Sequence, residues 1–417
     1  MEFDLLAWRE DPIEEASRLM ARLGRRWDAV LALPLALLVL LLHVLPRRAA
    51  RAGAPERERI LRHAGLQTLG WAAGDLALTA ALPLLRLSFP PIRGAWFYLF
   101  CGRATITAGA VMPALASAVG GADLPVGGRR GLVRLLAAAH AAMGAVLIYA
   151  TYIEGQRLVT RRTALRFPGR SPGAPPLRLR IAHLSDIHME RLTRRDEAVI
   201  DRLRAAQPDL ILLSGDFISI DYYDARAYED LRALMTTIGS LAPPHGVYAC
   251  LGNVDPPEIM RTTLLGTGVT LLEDTAVSLP VNGRHVQILG ARTSRGHRWE
   301  FDLHHFEAAL AVATPQEPPD LRILLYHTPD LAPQAAAADV DLYLCGHTHG
   351  GQIRMPIVGA LRTGSRFGRR YVLGLNRLPN GGVIHTSPGI GFEGMHLPRV
   401  RVLCPPVIAI FDVTVGG

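Results

Sequence analysis

The chain changes character near residue 155. Before that point, long apolar runs are separated by short arginine-rich or glycine-rich segments; after it, short strand-like runs alternate with helical ones. The first half therefore reads as a membrane region and the second as a soluble α/β domain. A membrane-crossing helix needs about twenty mostly apolar residues. Residues 27–46 fit best: Leu31 to Leu42 carry no charge, and Asp28 and Arg47 bracket them. Weaker runs follow at 66–85 with Asp75 inside, at 96–119 with Arg103, and at 132–153 with Arg134 and His140. Together they predict a bundle of about four transmembrane helices within residues 27–155, and a multi-pass protein of the cell membrane. Asp75 and Arg103 have opposite sign and are costly in lipid unless paired, so a salt bridge between the second and third runs is expected.

Residues 1–26 do not resemble a secretory signal, because Glu10, Asp11, Glu14 and Glu15 precede any apolar run. Asp11-Pro12-Ile13-Glu14 reads as a helix start. Phe3, Leu5, Leu6, Trp8 and Ile13 would give that amphipathic helix an apolar face. Residues 156–176, rich in Pro, Gly and Arg, read as a linker or an edge segment. Arginine counting puts both termini and the C-terminal domain in the cytoplasm, by a narrow margin because the first loop is itself basic.

The chain has 417 residues, a formal charge of +8 and no lysine, so all 45 basic groups are arginine. Each stays charged and grips phosphate or carboxylate bidentately. Such a balance implies anionic partners. Nucleic acid is not expected among them, for no helix-turn-helix or aromatic-basic strand pattern accompanies the charge. Four scattered cysteines without a C-x-x-C spacing exclude a disulfide framework and a cysteine zinc site.

In residues 177–417, strand-like runs occur at 177–184, 210–213, 247–251, 286–289, 322–326, 342–344, 383–385 and 407–411. Polar residues gather where five of them end. The first runs into Asp186 and His188, the second into Gly215-Asp216, and the third into Gly252-Asn253-Val254-Asp255. A later strand ends at His327, and the next in Gly346-His347-Thr348-His349-Gly350-Gly351. In an open α/β sheet, ligands bind beyond the carboxyl ends of the strands. Carboxylate oxygen and imidazole nitrogen suit Mn²⁺, Fe²⁺ or Zn²⁺. D-x-H and H-x-H place their side chains on one side of an extended chain. A carboxylate such as Asp216 can bridge two ions about 4 Å apart, the separation used for in-line attack on phosphorus. Arg354, Arg362, Arg366, Arg369 and Arg370 could hold a second phosphate or anionic lipid heads.

This ordered set resembles the calcineurin-like metallophosphoesterases, whose signature runs D-x-H, G-D, G-N-H-D, H, G-H-x-H. The likeness covers about residues 177–412. Gly351-Gln352-Ile353-Arg354-Met355-Pro356, Gly368-Arg369-Arg370-Tyr371 and Gly389-Ile390-Gly391 are similar to a membrane-anchored bacterial branch. The resemblance implies an αββα sandwich holding two divalent metal ions. One ion would take Asp186, His188, Asp216 and His349; the other would take Asp216, Asn253, His327 and His347. A metal-bridging hydroxide would be the nucleophile, with Asp216, Asn253 and His347 as catalytic residues and Asn253 and Arg354 as substrate contacts. One departure matters: Val254 stands where the family has a histidine that touches the phosphate and serves the leaving group. His183, His245 and His297 are candidates to replace it. A diphosphate has a good leaving group and needs such an acid less than an alkoxide does. The expected function is a membrane-anchored phosphohydrolase of diester or diphosphate bonds in a lipid-linked substrate such as UDP-2,3-diacylglucosamine. A regulatory protein with a weakened site, or a phosphomonoesterase, is the alternative.

Overall fold

The computed structural model describes residues 40–51, 55–119, 126–170, 175–220, 222, 224–294, 299–313, 319–394 and 397–416. The expected N-terminal amphipathic helix and most of the first apolar run lie outside the described residues. Two compact units form, one of helices before Ile153 and one built on Ile153–Glu393 and Val400–Gly417.

The helical unit contains α1 (Leu45–Arg51), α2 (Pro55–Leu84), α3 (Ile92–Val119) and α4 (Val126–Ile148). Among the described residues, one helical stretch is long and apolar enough to cross a membrane: Arg130–Gln156, with 27 residues. This is one of the four expected spans, and residues 27–39 of the first run lie outside the described residues. Helices cover the second and third runs, α2 carrying Gln67 and Asp75 and α3 carrying Arg103. The expected ion pair is present. Arg103 donates from Nε and Nη2 to the two oxygens of Asp75 at 2.8 and 2.7 Å, and from Nη1 to the carbonyl of His140. Trp71 lies against the guanidinium, 4.9 Å from ring centre to Cζ.

The second unit has two six-stranded sheets. The first has the order β1 (Val159–Phe167), β14 (Val407–Val415), β2 (Leu177–Leu184), β3 (Leu210–Leu213), β4 (Val247–Ala249), β5 (Val269–Leu271). The second has the order β12 (Gly374–Arg377), β13 (Val383–Thr386), β9 (Leu342–Cys345), β8 (Leu321–Leu325), β7 (Arg284–Gly290), β6 (Thr275–Val281). Strands β2 to β5 run parallel, as do β7, β8, β9 and β13. The residues explain the layering. In β2, Leu177, Leu179 and Ile181 alternate into a core shared with Val286, Ile288 and Ile323 of the other sheet. Ala182 and Leu184 face the opposite way, onto α5 (Arg194–Ala206) and α6 (Ala225–Gly239) through Leu203 and Leu231. The outer face of the second sheet packs on Phe306 of α8 (Trp299–Val312) and Ala335 of α9 (Ala332–Ala337), the helix α7 (Pro257–Leu264) lying with the first sheet. The order of layers is αββα.

Strand β1 falls inside the segment expected to be a linker or edge. Its Val-Thr-Arg-Arg-Thr-Ala-Leu-Arg-Phe sequence buries Leu165 and Phe167 and leaves Arg161 and Arg162 exposed, which suits an edge strand. Arg162 and Arg180 both donate to Asp412 of β14.

Candidate metal centre

The ligand candidates sit at the carboxyl ends of β2, β3, β4, β8 and β9, so both sheets contribute. Backbone bonds fix the loops to one another. The N–H of Asp186 donates to the Gly215 carbonyl, that of His188 to the Asp216 carbonyl, and that of Gly346 to the His327 carbonyl. The N–H of His347 donates to Asp186 Oδ1 at 2.9 Å. Asp255, 2% exposed, accepts from the N–H groups of Phe217 and Gly252 at 2.8 Å each, and so ties the β3 loop to the β4 loop.

Five ligand candidates have left-handed backbone: Asp186, His188, Asp216, His347 and His349, with φ of 51°, 44°, 54°, 66° and 50°. D-x-H therefore brings its two side chains together, and H-x-H sends His347 and His349 to different ligand groups, through tight turns and not through strand alternation as expected. Glycine supplies close approach. A Cβ at Gly252 would collide with Asp216 Oδ1, and one at Gly346 with Asp186 Oδ2 and Ser185 Oγ.

The side chains form two groups. Asp186, His188 and His349 converge in one, and Asp216, His327 and His347 in the other, with ligand atoms inside each group within 4.8 Å. Asp216 lies between them: its Oδ2 is 3.0 Å from His327 Nε2 and 3.6 Å from His188 Nε2. The amide oxygen of Asn253 is buried and accepts no hydrogen bond.

The donor set fits cations. His327 Nδ1 lies 2.7 Å from the carbonyl of Ser214, so that nitrogen carries a hydrogen, and Nε2 is directed at Asp216, where it can hold a proton or a metal ion. His188 Nε2 and His349 Nε2 face each other at 3.0 Å, and Asp186 Oδ1 lies 3.4 Å from the latter. Lone pairs aimed at one point repel unless a proton or metal ion stands between them. The electrostatics agree. Burial pushes His327 down, but Asp216 and then Asp186 outweigh it and raise its pKa to about 10. Burial and the neighbouring Asp216 raise Asp255 to about 6. Burial, with His188 beside it, holds His349 far below the usual histidine range. The residues thus fit two divalent ions.

Other expected residues fall differently. Arg354 donates from Nη1 to the Gly350 carbonyl at 2.7 Å and so pins the following hairpin to the His349 loop. The backbone N–H of Val254 donates to Asp216 Oδ1 at 3.2 Å. Of the candidates to replace its missing imidazole, His183 is buried against His385 and Ser214, and His245 precedes β4 at the end of the sheet away from the site. His297 lies outside the described residues. Sequence reasoning missed Ser214, whose carbonyl orients His327, and Cys404, whose thiol donates to the His349 carbonyl at 3.2 Å. Both contacts join residues far apart in sequence, and although Ser214 directly precedes Gly215-Asp216, nothing in that run signals the role of its carbonyl.

A family model of the calcineurin-like phosphoesterases matches residues 179–351. The phosphodiesterase YaeI of Escherichia coli K12 is 30% identical over 244 residues, which are 56% of this chain and 81% of YaeI. The chain belongs to the calcineurin-like phosphoesterase family. It is a metal-dependent phosphoesterase. YkuE of Bacillus subtilis, an uncharacterised metallophosphoesterase, is 27% identical over 68% of this chain and 94% of its own length. YpbG of the same organism is 30% identical over 55% of this chain and 81% of its own. The membrane-anchored branch suggested by the sequence is a finer grouping than these likenesses reach.

Proposed function

We propose that this phosphoesterase hydrolyses a phosphodiester or diphosphate bond in a lipid-linked substrate. The observation that carries the bond type is Val254. The residue next to Asn253 has no side-chain proton to give, which favours a departing group that leaves as a weak base, as the phosphate of a diphosphate does. YaeI, a relative, is named a phosphodiesterase. In this reading Asp186, His188 and His349 hold one ion, and Asn253, His327 and His347 hold the other, with Asp216 shared. Divalent ions bound there would acidify a water and offset the charge of the phosphate oxygens. The chain's own part is positional. Asp255 locks two loops, the Val254 N–H aims Asp216, and the Ser214 carbonyl aims His327.

The lipid linkage and the membrane anchor rest on the Arg130–Gln156 helix and on the apolar run at 27–46. A multi-pass arrangement with the phosphoesterase domain in the cytoplasm extends the same reading. We place the start of that domain at β1, because cutting at residue 177 would remove an edge strand paired along its length with β14.

The test uses the full chain in detergent, stripped of metal and reloaded with Mn²⁺. Hydrolysis of a bis-aryl phosphodiester, an aryl monoester and a UDP-lipid diphosphate is compared, beside Asp216→Asn. The expected result is metal-dependent turnover of the diester or diphosphate, lost in the variant. Preference for the monoester would overturn the bond assignment. Stoichiometric metal with no turnover of any substrate would favour a regulatory protein.

A further inference from the structure

The segment after His349 folds into a hairpin, β10 (Arg354–Met355) with β11 (Gly359–Ala360), whose outer surface is apolar. Ile353, Met355, Ile357, Val358 and Leu361 are all exposed, and Leu403 lies beside them through the Ile353↔Val402 bridge. Ile357 at the tip is fully exposed, and its φ is 67°. A β-branched residue is a steric outlier there, where Gly, Asn or Asp is ordinary. Packing cannot explain an isoleucine that touches nothing.

The surroundings are cationic. From Gly351 to Asn380 the chain has six arginines and no acid, and Arg362, Arg369 and Arg370 are exposed. The hairpin is also joined to the metal centre. Besides the Arg354 bond to Gly350, a Cβ on Gly351 would collide with Ala360, and one on Gly364 would lie 3.7 Å from His347 Nε2.

We propose that this hairpin docks on a bilayer bearing anionic headgroups, the apolar tip entering below the headgroups and the arginines pairing with lipid phosphates. An exposed apolar tip on a segment with exposed arginines and no acid matches an anionic bilayer surface; a protein partner would need a recess of the opposite shape. The role is to hold the mouth of the metal centre against the surface that carries the substrate. This deepens the lipid-linked reading and rests on it, and the experiment below reads lipid contact without turnover, so the two fail separately.

The full chain is placed in lipid nanodiscs with a fluorescent nitrobenzoxadiazole label on Val358→Cys. Cys101 is replaced by Ala, the other three cysteines being buried. In discs containing phosphatidylglycerol, the emission is expected to shift to the blue and to be quenched by doxyl-labelled lipid. In pure phosphatidylcholine the response is expected to be weaker. Arg369→Ser with Arg370→Ser is expected to lower insertion into anionic discs, two such arginines together changing the equilibrium by about thirtyfold. Ile357→Asn is expected to weaken insertion while raising the thermal midpoint, since asparagine relieves the tip; a purely structural isoleucine would give neither change. Water-like emission in every disc overturns the proposal, and so does quenching that appears only with two chains per disc, which would mark a contact between copies.

Discussion

At the scale of single residues, the metal centre is set by backbone handedness. Left-handed backbone costs an L-residue about 1–2 kcal/mol, and Asp, Asn and His tolerate it best among non-glycine residues. The motifs therefore supply both ligand chemistry and turn chemistry. Sequence alone identified Asp186, His188, Asp216, Asn253, His327, His347 and His349 as ligand candidates, because glycine, aspartate and histidine at successive strand ends have no common structural explanation. It could not give the handedness, which depends on hydrogen bonds between loops such as that from His347 N–H to Asp186. It assigned Arg354 to the substrate and could not show that its Nη1 donates to the Gly350 carbonyl. Close approach makes a sharp prediction. Gly252→Ala would push a methyl group onto Asp216 Oδ1. It should destabilise the chain by about 1–3 kcal/mol and lower bound metal, as read by urea unfolding and by metal analysis of the purified protein.

At the scale of elements, the buried apolar strands were legible and the more polar edge ones were not. Strands β2 and β3 end where the sequence predicted, because apolar residues run unbroken into polar loops. Strands β10 to β12 have two to four residues each, too few for a period, and their pairing is set by the loops that hold them. Strand β1 was hidden by its arginines. Across the two sheets, His183 of β2 meets His385 of β13, Nδ1 to Nδ1 at 2.9 Å. Burial, reinforced by His385, holds His183 well below the usual range, and burial with Arg161 holds His385 at about 3. Both are neutral when folded but titrate near about 6.5 when unfolded. The unfolded chain thus binds more protons as pH falls below that value. Stability is present above about pH 6.5 and is lost on acidification, at up to about 1.4 kcal/mol per pH unit for each histidine. Urea unfolding between pH 7.5 and 5.5 should show a smaller slope in His385→Phe. In the helical unit, Asp75→Asn should cost about 3–5 kcal/mol, whereas Asp75→Leu with Arg103→Met should be near neutral. Unfolding in detergent, measured for both, separates the two outcomes.

At the scale of the whole molecule, the αββα layering and the position of the metal centre follow from one fact of pattern: the strands with polar ends are parallel and central. The membrane region is the contrary case. Composition alone suggested four spans, and among the described residues one helical stretch, Arg130–Gln156, meets both membrane length and apolarity. Each ligand group draws on both sheets, Asp186 and His188 with His349, and Asp216 with His327 and His347. Metal should therefore stabilise the whole α/β unit. At a hundredfold excess over its dissociation constant, one ion adds about 2.7 kcal/mol. Calorimetry should show the unfolding temperature rising on loading with Mn²⁺ and falling again with chelator; an unchanged temperature would mean that the groups do not hold metal. Ions held by these groups would join the two sheets as well as serve the chemistry. In a cell, an enzyme of this design would have a lifetime tied to its supply of metal: starved of ions, it would be an easier meal for proteases, and its abundance would fall before its catalytic sequence ever changed.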